Sequence, residues 1–305
     1  RNYLSASSSV EKTYLDMFQH QTLEYVNRMK KKYCSPPFYS ATMETMMRAL
    51  DHVTDESDPD TDLSQMIHAY QTAESLQERY LGSPCSLSSL FTPKEWENLP
   101  FSLQTQYDTT LEEYAHRMGL YTYKEWLPLV GFIHDTGKVL MLPELGSLPQ
   151  WSVVGDTFPL GVSLSPHFPF ATQSHAISNS SLQDSSSYPP HCGFDRVTMS
   201  WGHDEYLASV LERHAHKQPK SSNILLPSEA IYIIRYHSFY AWHTPRGEQR
   251  SYLYLANKRD WDMLPWLKAF QKADLYSKSR VIPSSEKQAF WYNVMKKYFP
   301  SFLEW

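Results

Sequence analysis

The chain has 305 residues, 41% of them hydrophobic and 20% charged, and its 28 Lys+Arg against 33 Asp+Glu leave a net charge of −5. That composition supports a sizeable core and argues against wholesale disorder; mild acidity without a basic stripe argues against nucleic acid, and no window approaches the roughly 18 apolar residues of a membrane-spanning helix. Only Cys34, Cys85 and Cys192 occur, too few for a disulfide framework and consistent with a reducing, cytosolic compartment; the chain begins at Arg1 rather than Met, which leaves open what precedes it.

With 20 Pro and only 10 Gly, hairpin turns are scarce and helical patterns dominate, so the chain reads as mainly α. Apolar residues at helical spacing predict a helix over about 10–33 and another over 41–53. The acidic, proline-broken stretch 55–62 reads as a loop that offers N-caps to a helix over 63–80, which carries His68. Residues of about 81–122 are richer in Ser, Thr and Gln and read as an inserted element, with a short helix starting at Thr92-Pro93 and a longer one up to Met118. The apolar run 126–142 reads as a helix containing His134-Asp135-Thr136-Gly137-Lys138, and 150–161 as a short β excursion. Residues 163–190 lack periodicity and read as a lid. Helices follow over 196–216 with His203, 227–239 with His237, 260–278 with Asp274, and 285–298. No repeat or clear linker divides the chain, so one domain over 1–305 is expected.

A histidine inside an apolar helix needs a hydrogen-bond partner or a metal. Taken singly, His68, His134, His203 or His237 is more often a satisfied core or surface histidine, and two His-Asp dipeptides prove little. The ensemble is more informative: with Asp135 and Asp274, these residues are spread over five predicted helices that can converge in a bundle interior, where helical proteins build metal sites. Imidazole with carboxylate suits iron, manganese or zinc, and the lack of a cysteine cluster argues against structural zinc or an iron–sulfur centre. Six ligands exceed the need of one four-coordinate ion and would serve two ions sharing a bridging carboxylate. A ferritin-like site would need two Glu-x-x-His motifs, and only Glu113–His116 fits. A facial triad on His203-Asp204-Glu205 with His237 fails because residues two apart on a helix diverge by about 200°. Dinucleotide, P-loop, nucleophile-elbow and zincin motifs are absent. Lys138, one turn beyond His134, would share its face.

The strings DESDPD, HAYQTAE, HDTGK, PQWSVVGDTFPLG, PHCGFDRVTMSWGHDEYL, LPSEAIYIIRYHSFYAWHT, DMLPW and KADLYSK occur in this order. Together they closely resemble the myo-inositol oxygenases, a non-haem di-iron branch of the HD-domain superfamily. The resemblance runs from the first residues to the last, apart from about 81–122 and 163–187. It implies a single HD-domain-like helical bundle with a mixed-valent Fe(II)/Fe(III) pair, in which His68, His134 and Asp274 serve one iron, His203 and His237 the other, and Asp135 bridges. It also implies substrate contacts at Arg1, Asp55, Glu56, Ser57, Lys138, Gly155 and Asp156, and at His237 with its neighbour Ser238. Lys138 and Asp135 are the expected catalytic residues, myo-inositol and O2 the substrates, D-glucuronate the product, and nothing in the pattern demands more than one copy of the chain.

There are departures from the family pattern. His134 lies 66 positions after His68, about forty more than in animal members, and Thr136 and Ala241 stand where the family usually has Leu and Pro. The nearest rival is a metal-dependent phosphohydrolase, since the wider superfamily mostly cleaves phosphate esters with similar ligands.

Overall fold

A computed structural model describes residues 3, 6–34, 37–57, 64–82, 84–174, 188–218, 225–244, 250–275 and 283–305. The chain opens with helices α1 (Ser8–His20) and α2 (Leu23–Tyr33). They are two rather than the single helix that the apolar spacing suggests, because Thr22 accepts from the Tyr25 N–H and caps α2. At the break the Gln21 amide pairs with both backbone groups of Trp201. Strand β1 (Ser40–Thr42) then leads into α3 (Met43–Leu50), and β1 pairs antiparallel with β2 (Phe302–Glu304), placing Ala41 opposite Leu303.

The centre of the fold is α4 (Gln65–Leu81), capped by Ser64, packed on α8 (Tyr123–Ile133). Gly131 permits this approach: a Cβ there would lie 2.6 Å from Leu76 Cδ1 and 3.1 Å from the Ala73 nitrogen. Between α4 and α8 the segment that reads as inserted forms three short helices, α5 (Pro93–Glu97), α6 (Phe101–Tyr107) and α7 (Leu111–Arg117). Capping boxes Thr92/Glu95 and Thr110/Glu113 start α5 and α7. The helix expected up to Met118 is therefore broken at Asp108 and re-capped by Thr110.

After α8 the chain tightens into a 3-10 segment, Thr136–Met141, so the expected helix 126–142 ends at Ile133, just before His134. The β excursion predicted over 150–161 is instead the single helical turn α9 (Gln150–Val153) followed by extended chain. That chain pairs with 198–200 through only two backbone bonds, Leu160 N–H to Thr198 O and Ser200 N–H to Phe158 O. Pro159 lies between them, opposite Met199 in an isolated antiparallel bridge. Of the predicted 163–190 lid, 175–187 lie outside the described residues. The closing helices are α10 (His203–Lys217), α11 (Ser228–Tyr236), α12 (Tyr240–His243), α13 (Lys258–Asp274) and α14 (Ser285–Tyr298). Among the described residues no helix is long and apolar enough to cross a membrane.

Candidate metal centre

Four of the six expected ligands occupy helix termini or flank them. His134 follows the last residue of α8 and His237 the last residue of α11, His203 is the first residue of α10, and Asp274 the last of α13. Terminal carbonyls of a helix lack intrahelical partners, and the two C-terminal histidines use them: His134 Nδ1 lies 2.9 Å from Gly131 O and His237 Nδ1 2.7 Å from Ile234 O. His203 Nδ1 lies 2.7 Å from Val153 O in α9. A carbonyl only accepts, so Nδ1 carries a proton in all three rings, and wherever the ring is neutral its Nε2 presents a lone pair inward.

Those lone pairs converge. His203 Nε2 and His237 Nε2 are 3.1 Å apart, two acceptors face to face, an arrangement that repels unless a cation shares it. Asp135 stands between two halves of the cluster. Its Oδ2 is 3.3 Å from His134 Nε2 and 3.8 Å from His68 Nε2, while its Oδ1 is 3.2 Å from His203 Nε2 and 3.8 Å from His237 Nε2. On the first half Asp274 Oδ1 adds contacts of 2.9 Å to His68 and 3.5 Å to His134. Two overlapping sets, His68/His134/Asp274 and His134/Asp135/His237, each keep one ligand atom per residue within 4.8 Å of the others. All are buried except half-buried His68.

The electrostatics ask for positive charge. Burial alone would lower the His134 pKa, yet Asp135 and Asp274 outweigh it and push the ring up to about 10. Both carboxylates, despite burial, are held well below the ordinary range, Asp135 by His134 and Lys138 and Asp274 by His134 and His68. Nitrogen and carboxylate donors without thiolate suit iron, manganese or zinc, so the residues fit a metal centre.

Lys138 leaves the 3-10 segment rather than the helix face and is buried. Its three N–H groups meet three acceptors: Asp55 Oδ2 at 2.7 Å, Gln65 Oε1 at 2.9 Å and Asp135 Oδ2 at 2.9 Å. Asp135 and Asp55 overcome the burial penalty and hold the ammonium above its usual range. Asp55 Oδ1 accepts from the Ser57 N–H and hydroxyl at 2.8 and 2.7 Å, closing the turn over the site.

A cavity of about 20 Å³ remains, lined by all six expected ligands with Asp55, Ser57, Lys138, Gly155, Ser238 and Tyr240. Gly155, at φ +100°, adopts a backbone conformation that other residues rarely tolerate. Of three other sequence-predicted contacts, two fall elsewhere. The Glu56 carboxylate turns outward to the Ser9 hydroxyl, 3.0 Å away, Asp156 accepts from the Tyr14 hydroxyl at 2.7 Å behind the lining, and Arg1 lies outside the described residues. A larger cavity of about 680 Å³ lies against α10 and α11, but its charged groups are already mutually paired, Arg235 with Glu205 and Glu212 and Arg259 with Asp195; the chemistry follows converging lone pairs, not volume. Sequence reasoning missed Gln65, Tyr240 and His243. His243 donates from Nε2 to the His237 carbonyl at 2.8 Å, and its only sequence signal is a second His six residues after the first.

The model of the family described as myo-inositol oxygenase matches residues 7–89 and 98–305. The chain belongs to the myo-inositol oxygenase family. It is 36% identical to mouse inositol oxygenase over all of this chain and 90% of that protein. It is also 36% identical to inositol oxygenase 2 of Arabidopsis thaliana over 97% of this chain and 78% of that protein, and 34% identical to the zebrafish (Danio rerio) inositol oxygenase over 96% and 87%. The chain is thus an oxygenase of this family. The inositol oxygenase match passes over 90–97, the stretch that contains α5.

Proposed function

We propose that this chain splits the ring of myo-inositol with O2 to give D-glucuronate, using two iron ions. His68, His134 and Asp274 would hold one, His203 and His237 the other, and Asp135 both. The observation that carries the reading is the pair of opposed Nε2 atoms on His203 and His237, 3.1 Å apart beside one oxygen of Asp135, while its other oxygen faces His134 and His68. One inositol and one O2 give one glucuronic acid and one water, so the four-electron oxidation needs no outside reductant. Bound iron in mixed Fe(II)/Fe(III) form supplies Lewis acidity toward vicinal hydroxyls and electrons for O2.

The protein supplies placement. A neutral polyol calls for directional hydrogen bonds rather than a charged clamp. Ser57, Ser238 and Asp55 line the cavity for this purpose, with Arg1 as a further proposed contact. Lys138, donating to Asp135 and Asp55, can exchange one acceptor for a substrate oxygen and steady it as it loses its proton. Gly155, at φ +100°, lets the chain turn at the cavity wall, where a Cβ would lie 3.0 Å from Met17 Sδ. One chain carries every ligand, so a monomer suffices, and we take 1–305 as one domain with 81–122 inserted. Three free cysteines support a reducing, cytosolic setting.

The test is protein loaded anaerobically with ferrous iron, then given O2 and myo-inositol. Inositol-dependent O2 uptake with matching glucuronate is expected. Phosphate release from nucleotides without O2 uptake would overturn this reading in favour of a phosphohydrolase.

A further inference from the structure

The stretch that the family match leaves out contributes a charged side chain to the core. Glu95, in α5, divides its two oxygens. Oε2 accepts from the Thr92 N–H at 2.9 Å, closing the cap of its own helix. Oε1 accepts from Lys268 Nζ at 2.6 Å and Arg250 Nη2 at 3.2 Å. Both cations also lie over the Phe91 ring, 5.2 Å away for Lys268 and 5.6 Å for Arg250. Lys268, 6% exposed, donates to the His243 carbonyl at 3.2 Å. The His243 ring in turn holds the carbonyl of His237, whose Nε2 faces Asp135 and His203. A contiguous run of polar contacts therefore links α5 to one histidine of the centre.

We propose that Glu95 is a positioning residue for the metal centre: by holding Lys268 and Arg250 it fixes the Tyr240–His243 turn, and through His243 it sets the backbone of His237. This rests on the metal reading given above. Its physical basis is the isolation of the pair. Without the carboxylate, a buried ammonium beside a guanidinium either gives up its proton or leaves the site, and in both cases the charged donor on His243 is lost. Outer-shell partners of metal ligands typically alter affinity about 10–100-fold, so an inserted segment can tune the centre without touching it.

Co(II) titration of the full chain, followed by calorimetry and visible absorption, tests this. The parent is expected to take up two ions in two steps; uptake of fewer than two overturns the metal reading and this inference with it. Glu95→Gln keeps the shape and removes the charge. It is expected to weaken one step about tenfold and to alter the absorption of that ion while leaving the other step unchanged. Thr110→Ala, which removes the cap of α7 in the same inserted element, should lower Tm and leave both steps intact. Glu95→Gln with Lys268→Met, deleting both charges of the pair, should regain Tm without regaining the weakened step. Should Glu95→Gln alone fail to fold, Lys268→Met reads the same link from its other end. Two unchanged steps in folded variants, or equal weakening of both, would overturn the proposal.

Discussion

Two clusters of buried charge meet at His237. Its ring faces Asp135 and His203, and its carbonyl accepts from His243, which Lys268 and Glu95 support. In the Glu95 cluster the hydrogen bonds join donors to acceptors, and one carboxylate serves two cations. In the other, the inward Nε2 atoms of three imidazoles and two carboxylates confront one another, with Lys138 as the ammonium in contact. Both are buried and both are ionic, yet only the second has a surplus of lone pairs. Burial of charge does not mark a binding site by itself; a surplus of converging acceptors does.

The largest expected effect removes the residue that joins the two halves. Asp135→Asn replaces an anionic oxygen by a donor that serves one half and opposes the other. Bound metal should fall and turnover drop to background, measured by metal analysis and O2 uptake. Two retained ions with normal turnover would break the assignment of Asp135 to both halves. Next comes Lys138→Ala, which leaves the imidazoles untouched. Metal should be kept while kcat falls about 10²- to 10³-fold; a raised KM with unchanged kcat would reduce Lys138 to a binding group. Smaller again, and structural, is Gly137→Ala. The added Cβ would lie 2.0 Å from His203 O, so the 3-10 segment must move off the start of α10, at a cost of about 1–3 kcal/mol readable as a lower Tm.

The mainly helical class and most helices were legible from apolar spacing, and α14 matched its predicted bounds. The collinear strings named the six residues that converge here. What spacing could not reveal is how they converge. Helical periodicity would have put His134 and Lys138 on one face, whereas the chain changes to a 3-10 segment between them and Lys138 reaches Asp135 at i+3. Nor does periodicity mark Gln65 or His243, whose parts depend on partners 73 and six residues away. Glu95 reads locally as half of a capping box, and its second oxygen acts on residues 155 and 173 positions distant.

The last prediction sharpens the same contrast from the closed cluster. A free lysine titrates near about 10.4. Burial lowers Lys268, Glu95 opposes it, and Arg250 and Lys272 add to the lowering, so that it settles at about 8. The folded chain therefore releases this proton at lower pH than the unfolded chain does. Between those two values unfolding takes up a proton, and this group's contribution to stability rises with pH. The difference in denaturation free energy between the parent and Lys268→Met should accordingly shift in the parent's favour across that window, measured by chemical denaturation at successive pH values. A difference that does not change with pH would mean that Glu95 keeps the ammonium charged throughout, making the pair tighter than burial allows. The Glu95 cluster should respond to pH through Lys268, whereas the cluster of opposed imidazoles and carboxylates should respond to metal.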